Sequence, residues 1–119
     1  MAERRQARVA HLIQTALGRL LVEEARSAQL RDIAISAVRV SADLHVARVY
    51  VRSLAAVPNP AETVAALGRA GGFLRREVGH ALGLRVTPEL RFAYDDLPDA
   101  ARRIESLLHP PAVDEDDGK

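Results

Sequence analysis

The sequence predicts an α+β domain, with helices packed on one face of a three-stranded sheet in the order α-β-β-α-kink-α-β-α. Three observations carry that prediction. An apolar stripe at helical spacing fills the first part of the chain. The period then falls to two over a stretch rich in valine and isoleucine. A helix-start signal at Pro58-Asn59-Pro60-Ala61-Glu62 opens a second helical region, which returns to period two near Thr87.

In the first element, Val9, Leu12, Ile13, Ala16, Leu17, Leu20 and Leu21 recur at intervals of three and four. That spacing makes one apolar face of a helix over roughly residues 4–26. Arg4, Arg8, His11, Thr15 and Arg19 then share a polar flank. Such a flank is either solvated or laid along a phosphate backbone.

A β-hairpin follows, with strands near 32–41 and 44–53. Ile33 and Ile35 are out of phase with Val38 and Val40, which predicts a bulge near Ala37. Ser41, Ala42 and Asp43 suit a turn. In the second strand Ala47, Val49 and Val51 take one face, and Arg48, Tyr50 and Arg52 the other. The face bearing Arg48 and Arg52 is open to water or in contact with RNA.

Asn59 can cap the next helix, Pro60 fits its first position, and Glu62 completes a capping box. Val64, Leu67, Phe73, Leu74, Val78, Ala81 and Leu82 carry helical periodicity to about residue 83. Gly71-Gly72 interrupts it, at roughly 1 kcal/mol per glycine relative to alanine. The expected result is helix, kink, helix, with the kink at Ala70, Gly71 and Gly72 and a C-terminal cap at Gly83. A bulky β-branched residue at Gly72 is expected to disturb the inter-helix angle or destabilise the fold.

A third strand is read from Val86 to Asp95, with Leu90, Phe92 and Tyr94 on one face and Pro88 at its start. A last helix is placed near 97–108, with Ile104, Leu107 and Leu108 inward. Pro110-Pro111 ends the fold, so residues 1–110 form one domain and residues 111–119 a disordered acidic tail.

Composition narrows the function. Apolar residues make up 48% of the 119, enough for one core and too little chain for a second full domain. With no cysteine, disulfides and cysteine-based zinc sites are excluded. No apolar run approaches the roughly 20 residues that span a bilayer, and the N-terminus has no secretory apolar segment, so a soluble cytoplasmic protein is expected. Residues 1–110 hold 16 Arg against 12 Asp and Glu, a basic body that permits nucleic-acid binding. His11, His45, His80 and His109 are dispersed, without metal-ligand spacing. Asp95-Asp96 are neighbours whose side chains leave a strand in opposite directions, and Asp96 suits a helix cap. Neither a phosphate-binding loop nor a nucleophile elbow is present, so no enzyme activity and no cofactor are expected.

The element order matches a KH-like domain of the second type, in which an N-terminal helix and strand precede a strand-helix-helix-strand core. KH domains clamp nucleic acid with a G-x-x-G loop, and Gly68-Arg69-Ala70-Gly71 has that spacing. The reading of this stretch stays open between a clamp and a helix kink.

A more specific resemblance rests on separate segments. They are Ala70-Gly71-Gly72-Phe73-Leu74-Arg75, Leu84-Arg85-Val86-Thr87-Pro88-Glu89-Leu90-Arg91-Phe92 with Asp95, Arg8-Val9, Val38-Arg39-Val40-Ser41-Ala42-Asp43-Leu44, and Ala47-Arg48-Val49-Tyr50-Val51. Together they resemble the bacterial ribosome-binding factor A family over roughly residues 4–108. In that family an Ala-x-Gly kink replaces the G-x-x-G loop, and Ala70 and Gly72 match it. The resemblance implies binding to the immature small (30S) ribosomal subunit late in assembly. It also implies help with maturation of the 5′ end region of 16S rRNA, greatest need in the cold, and release aided by an assembly GTPase. A monomer without catalytic residues is expected.

The basic residues agree with that role. Arg4, Arg5, Arg8, Arg69, Arg75, Arg76 and Arg85 are the candidate RNA contacts, because a guanidinium stays charged and binds phosphate bidentately. Few aromatics point to shape and backbone recognition rather than base reading. The competing reading is an interaction module that binds a protein partner through this basic face.

Overall fold

The apolar stripe of the N-terminal segment forms helix α1, Ala2–Glu23, in a computed structural model that describes residues 2–24 and 27–96. Ile13, Ala16, Leu17 and Leu21 are buried. Leu12 stands at the edge of the stripe and stays 40% exposed, while the stripe itself packs on the first strand and the third helix. The helix stops at Glu23, short of residue 26.

Strand β1, Ile33–Val40, and strand β2, Val46–Ser53, form the antiparallel hairpin. The register slips between Ile35 and Ala37. This bulge absorbs the phase change seen in the sequence. Ile33 and Ile35 pair with Ser53 and Val51, while Val38 and Val40 pair with Val49 and Ala47, so both sets serve the core. The turn between the strands places Leu44 in the left-handed region at φ 63° and is closed by Leu44 N–H donating to Ser41 O at 2.8 Å.

Helix α2, Pro60–Arg69, starts as its sequence signals: Asn59 Oδ1 accepts from Glu62 N–H at 3.1 Å, and proline takes the first position. The capping box is only half made, since the Glu62 carboxylate turns to Arg69 at 2.8 Å. Helix α3, Gly71–Leu82, ends on Gly83 at φ 63°, a left-handed cap that favours glycine. Strand β3, Glu89–Tyr94, is shorter than its alternating pattern, because Pro88 has no N–H to donate and Glu89 N–H makes the first bond, to His45 O at 2.8 Å.

The sheet order is β1-β2-β3, with β3 parallel to β2 across the α2–α3 connection. The helices cover one face. Ile13, Leu17, Val49, Val51, Leu67, Leu74 and Val78 are fully buried in a single aliphatic core, each contributing roughly 1.5–3 kcal/mol of burial. Leu90, Phe92 and Tyr94 pack against it from β3. Tyr94 also closes the far end of the sheet, its hydroxyl accepting from Ser53 N–H at 3.0 Å. Two residues of the apolar pattern in α3 are not core: Phe73 and Ala81 are exposed. No described helix is long and apolar enough to cross a membrane. The last helix, near 97–108, and the tail lie outside the described residues.

Candidate nucleic-acid interface

Side-chain tethers gather the basic elements at one end of the sheet. The Gln6 amide donates to Val40 O at 2.9 Å and is buried there. This holds the first turns of α1, with exposed Arg4, Arg5 and Arg8, beside the end of β1. Glu89 N–H on His45 O brings the start of β3 to the same end. The segment leading into β3 carries Arg85 and is held to α3 by Arg75, whose Nε and Nη2 donate to Thr87 O at 3.1 and 2.7 Å.

Between α3 and this segment lies a shallow groove of about 490 Å³, lined by Gly72, Arg75, Arg76, Arg85, Val86 and Thr87. Among the described residues no carboxylate lines it. Arg76 sits over the Phe73 ring, 5.9 Å from its centroid, a cation–π contact that orients the guanidinium at the rim. Arg75 spends two donors on Thr87 O and keeps the rest of its five N–H groups for an incoming acceptor. Arg75, Arg76 and Arg85 therefore share one groove, and Arg4, Arg5 and Arg8 share its end of the sheet. Arg69 stands apart, in an exposed ion pair with Glu62 at 2.8 Å, a contact worth at most about 1 kcal/mol and easily exchanged.

The junction of the helices is one residue wide. Ala70, at φ −90° and ψ 1°, separates Arg69 from Gly71, and its N–H still reaches Ala66 O at 3.1 Å. Gly68 lies inside α2 and Gly71 is the first residue of α3, so this stretch is a helix junction and not an extended clamp loop. A Cβ on Gly72 would meet nothing within 4 Å. The position therefore has room for the side chain of an alanine.

Sequence reasoning missed the glycine that matters most for the groove. At Gly79 a Cβ would collide with the Thr87 hydroxyl, so α3 can lie against the Arg85–Thr87 segment only if that position is bare. The available signal was an isolated glycine within a helical pattern, which marks close approach of another segment. Exposed Phe73 and Val86, placed in the sequence as helix core and strand, are instead rim residues beside the arginines.

The turn at this end carries an acid. Asp43 Oδ1 accepts from the Ser41 hydroxyl at 2.7 Å and from His45 N–H at 3.0 Å, and Oδ2 lies 3.3 Å from His45 Nδ1. The hydrogen bond from Ser41, then that from the His45 backbone, hold its pKa below the ordinary 3.8. Among the described residues no group of three or more His, Asp or Glu side chains is placed to hold a metal ion.

Fold and site together define a small α+β domain with a mixed three-stranded sheet, helices on one face, and an arginine-lined groove at one end. The family model for ribosome-binding factor A matches residues 5–108, and the chain belongs to that family. It is 42% identical over 113 residues to ribosome-binding factor A of Coxiella burnetii, covering 95% of this chain and 93% of that one. Among solved structures it resembles the crystal structure of ribosome-binding factor A from Thermus thermophilus, with TM-score 0.66 and 25% identity over 75% of this chain and 94% of that one. It is also similar to a homology model of the Thermus thermophilus ribosome binding factor A fitted into the cryo-electron microscopy map of a 30S complex, with TM-score 0.55 and 31% identity over 75% of this chain and 98% of that one.

Proposed function

We propose that this chain binds the immature small ribosomal subunit in the cytoplasm and, as a non-catalytic monomer, assists late maturation of 16S rRNA, including its 5′ end region. The observation that carries the reading is the groove of Arg75, Arg76 and Arg85 at the end of the sheet where α1 presents Arg4, Arg5 and Arg8. The relative fitted into a 30S complex supports the same partner. Guanidinium groups on a rigid frame suit phosphates, and an exposed Phe73 beside them offers one stacking surface. The protein would act by holding rRNA in one arrangement until folding is complete, with release aided by an assembly GTPase.

Co-sedimentation with immature and mature small subunits over a salt series tests this. Saturable binding that favours the immature subunit is expected, with log affinity falling linearly against log salt. Arg76→Gln with Arg85→Gln should weaken it roughly tenfold and flatten the slope by about one per arginine. Salt-insensitive binding, unchanged in the double variant, would turn the reading toward a protein partner.

A further inference from the structure

The sheet has a second basic surface, on the side away from the helices. Arg39 of β1 is in register with Arg48 of β2, and Arg48 is in register with Arg91 of β3. Residues paired on adjacent strands share a face and lie about 5 Å apart. This face is opposite to Ala47, Val49 and Val51, which are fully buried under the helices. Three arginines therefore cross the sheet side by side. Glu89 offsets one end, lying 3.3 Å from Arg91, and Asp95 lies 4.0 Å from Arg52 farther along β2. Among the described residues of this face, Arg39, Arg48, Arg52 and Arg91 outnumber the Glu89 and Asp95 carboxylates.

The adjacent row is Ala37, Tyr50 and Ala93. Two methyl side chains flank a half-buried tyrosine ring across the strands. A cationic row beside a single aromatic ring is the combination that receives a single strand: arginines take the backbone and the ring takes a base.

We infer that the sheet face away from α1, α2 and α3 is a second RNA site, in which Arg39, Arg48 and Arg91 bind phosphates of one strand and Tyr50 receives a base. The inference rests on the proposed RNA-binding function and adds a surface separate from the groove at the sheet end.

The test compares wild type, Arg39→Gln/Arg91→Gln and Arg39→Lys/Arg91→Lys on two probes, small ribosomal subunits and a single-stranded uridine homopolymer, over a salt series with thermal midpoints measured alongside. Removing two phosphate contacts should weaken binding to both probes about tenfold and lower the salt slope by about 1.4–1.8. The lysine pair should keep most of the affinity, and the glutamine pair should melt close to wild type, since the Arg91–Glu89 pair it removes is exposed and worth at most about 1 kcal/mol. Unchanged affinity and slope in the glutamine pair would overturn the sheet-face site. So would equal loss in both pairs with a lowered midpoint, which marks a structural role, or a loss on subunits with no change in slope, which marks a protein contact. If wild type binds the homopolymer but not subunits, the proposed function fails while the sheet face is judged on the homopolymer; if it binds neither, both fail.

Discussion

Gln6 is a polar side chain taken out of water to do one thing, donate to Val40 O at 2.9 Å from a nearly fully buried position. Gln6→Met keeps the length and apolar contacts but removes the donor. It should lower stability by about 1 kcal/mol in chemical denaturation, and free the first turns of α1, read as faster amide exchange there; an unchanged midpoint would show that the tether carries no energy. Asp43 is tied differently, in the open. Its pKa lies below 3.8 because the folded turn hydrogen-bonds the carboxylate. The stability it gives is therefore present above the ordinary aspartate range and is lost as pH falls through the depressed value. The His45 amide resonance should titrate with a midpoint below 3.8, and Asp43→Asn should abolish that titration. A midpoint at or above the ordinary value would contradict the geometry.

The helical glycines separate by element contact rather than by residue type. Gly72 and Gly68 face open space, whereas Gly79 faces Thr87. Gly72→Ala should stabilise by a few tenths to about 1 kcal/mol, since alanine is the better helix former. Gly79→Ala should destabilise by about 1–3 kcal/mol, because Thr87 is β-branched and its carbonyl is already clamped by Arg75. Paired melts of the two variants check this, and equal signs would refute it. The elements themselves were legible in the sequence: α1 from its stripe, the bulge from the phase change at Ala37, α2 from Asn59-Pro60, the end of α3 from Gly83. Their contacts were not. Phe73 fits the apolar period of α3 yet stands on the rim, because period reports a face and not what covers it. Arg75 reads as a free cation in the sequence and is in fact a brace on Thr87.

For the molecule as a whole, register is what the sequence withheld. Arg39 and Arg91 do not read as one site in the sequence, since 52 positions separate them along the chain and only pairing through Arg48 makes them a row. The groove was partly legible, as Arg75, Arg76 and Arg85 flank a kink and a strand start. Its closeness to the start of α1 depends on Gln6 and on Glu89 N–H, which no periodicity reveals. On the proposed function, the two basic surfaces would let the domain hold RNA at the sheet end and across the sheet, a larger footprint than either alone.

The parallel pairing of β3 with β2 also fixes an order of events. The hairpin is local and can close early, whereas Val46 meets Glu89 only after the whole α2–α3 crossover has been laid down, and contacts across long loops form late. Both basic surfaces need that last strand: Arg91 completes the row, and the Arg85–Thr87 segment that walls the groove is anchored by the start of β3. On the proposed function, a chain still being synthesised would therefore have its hairpin but neither surface complete, and would gain its affinity for RNA only once β3 had emerged and docked.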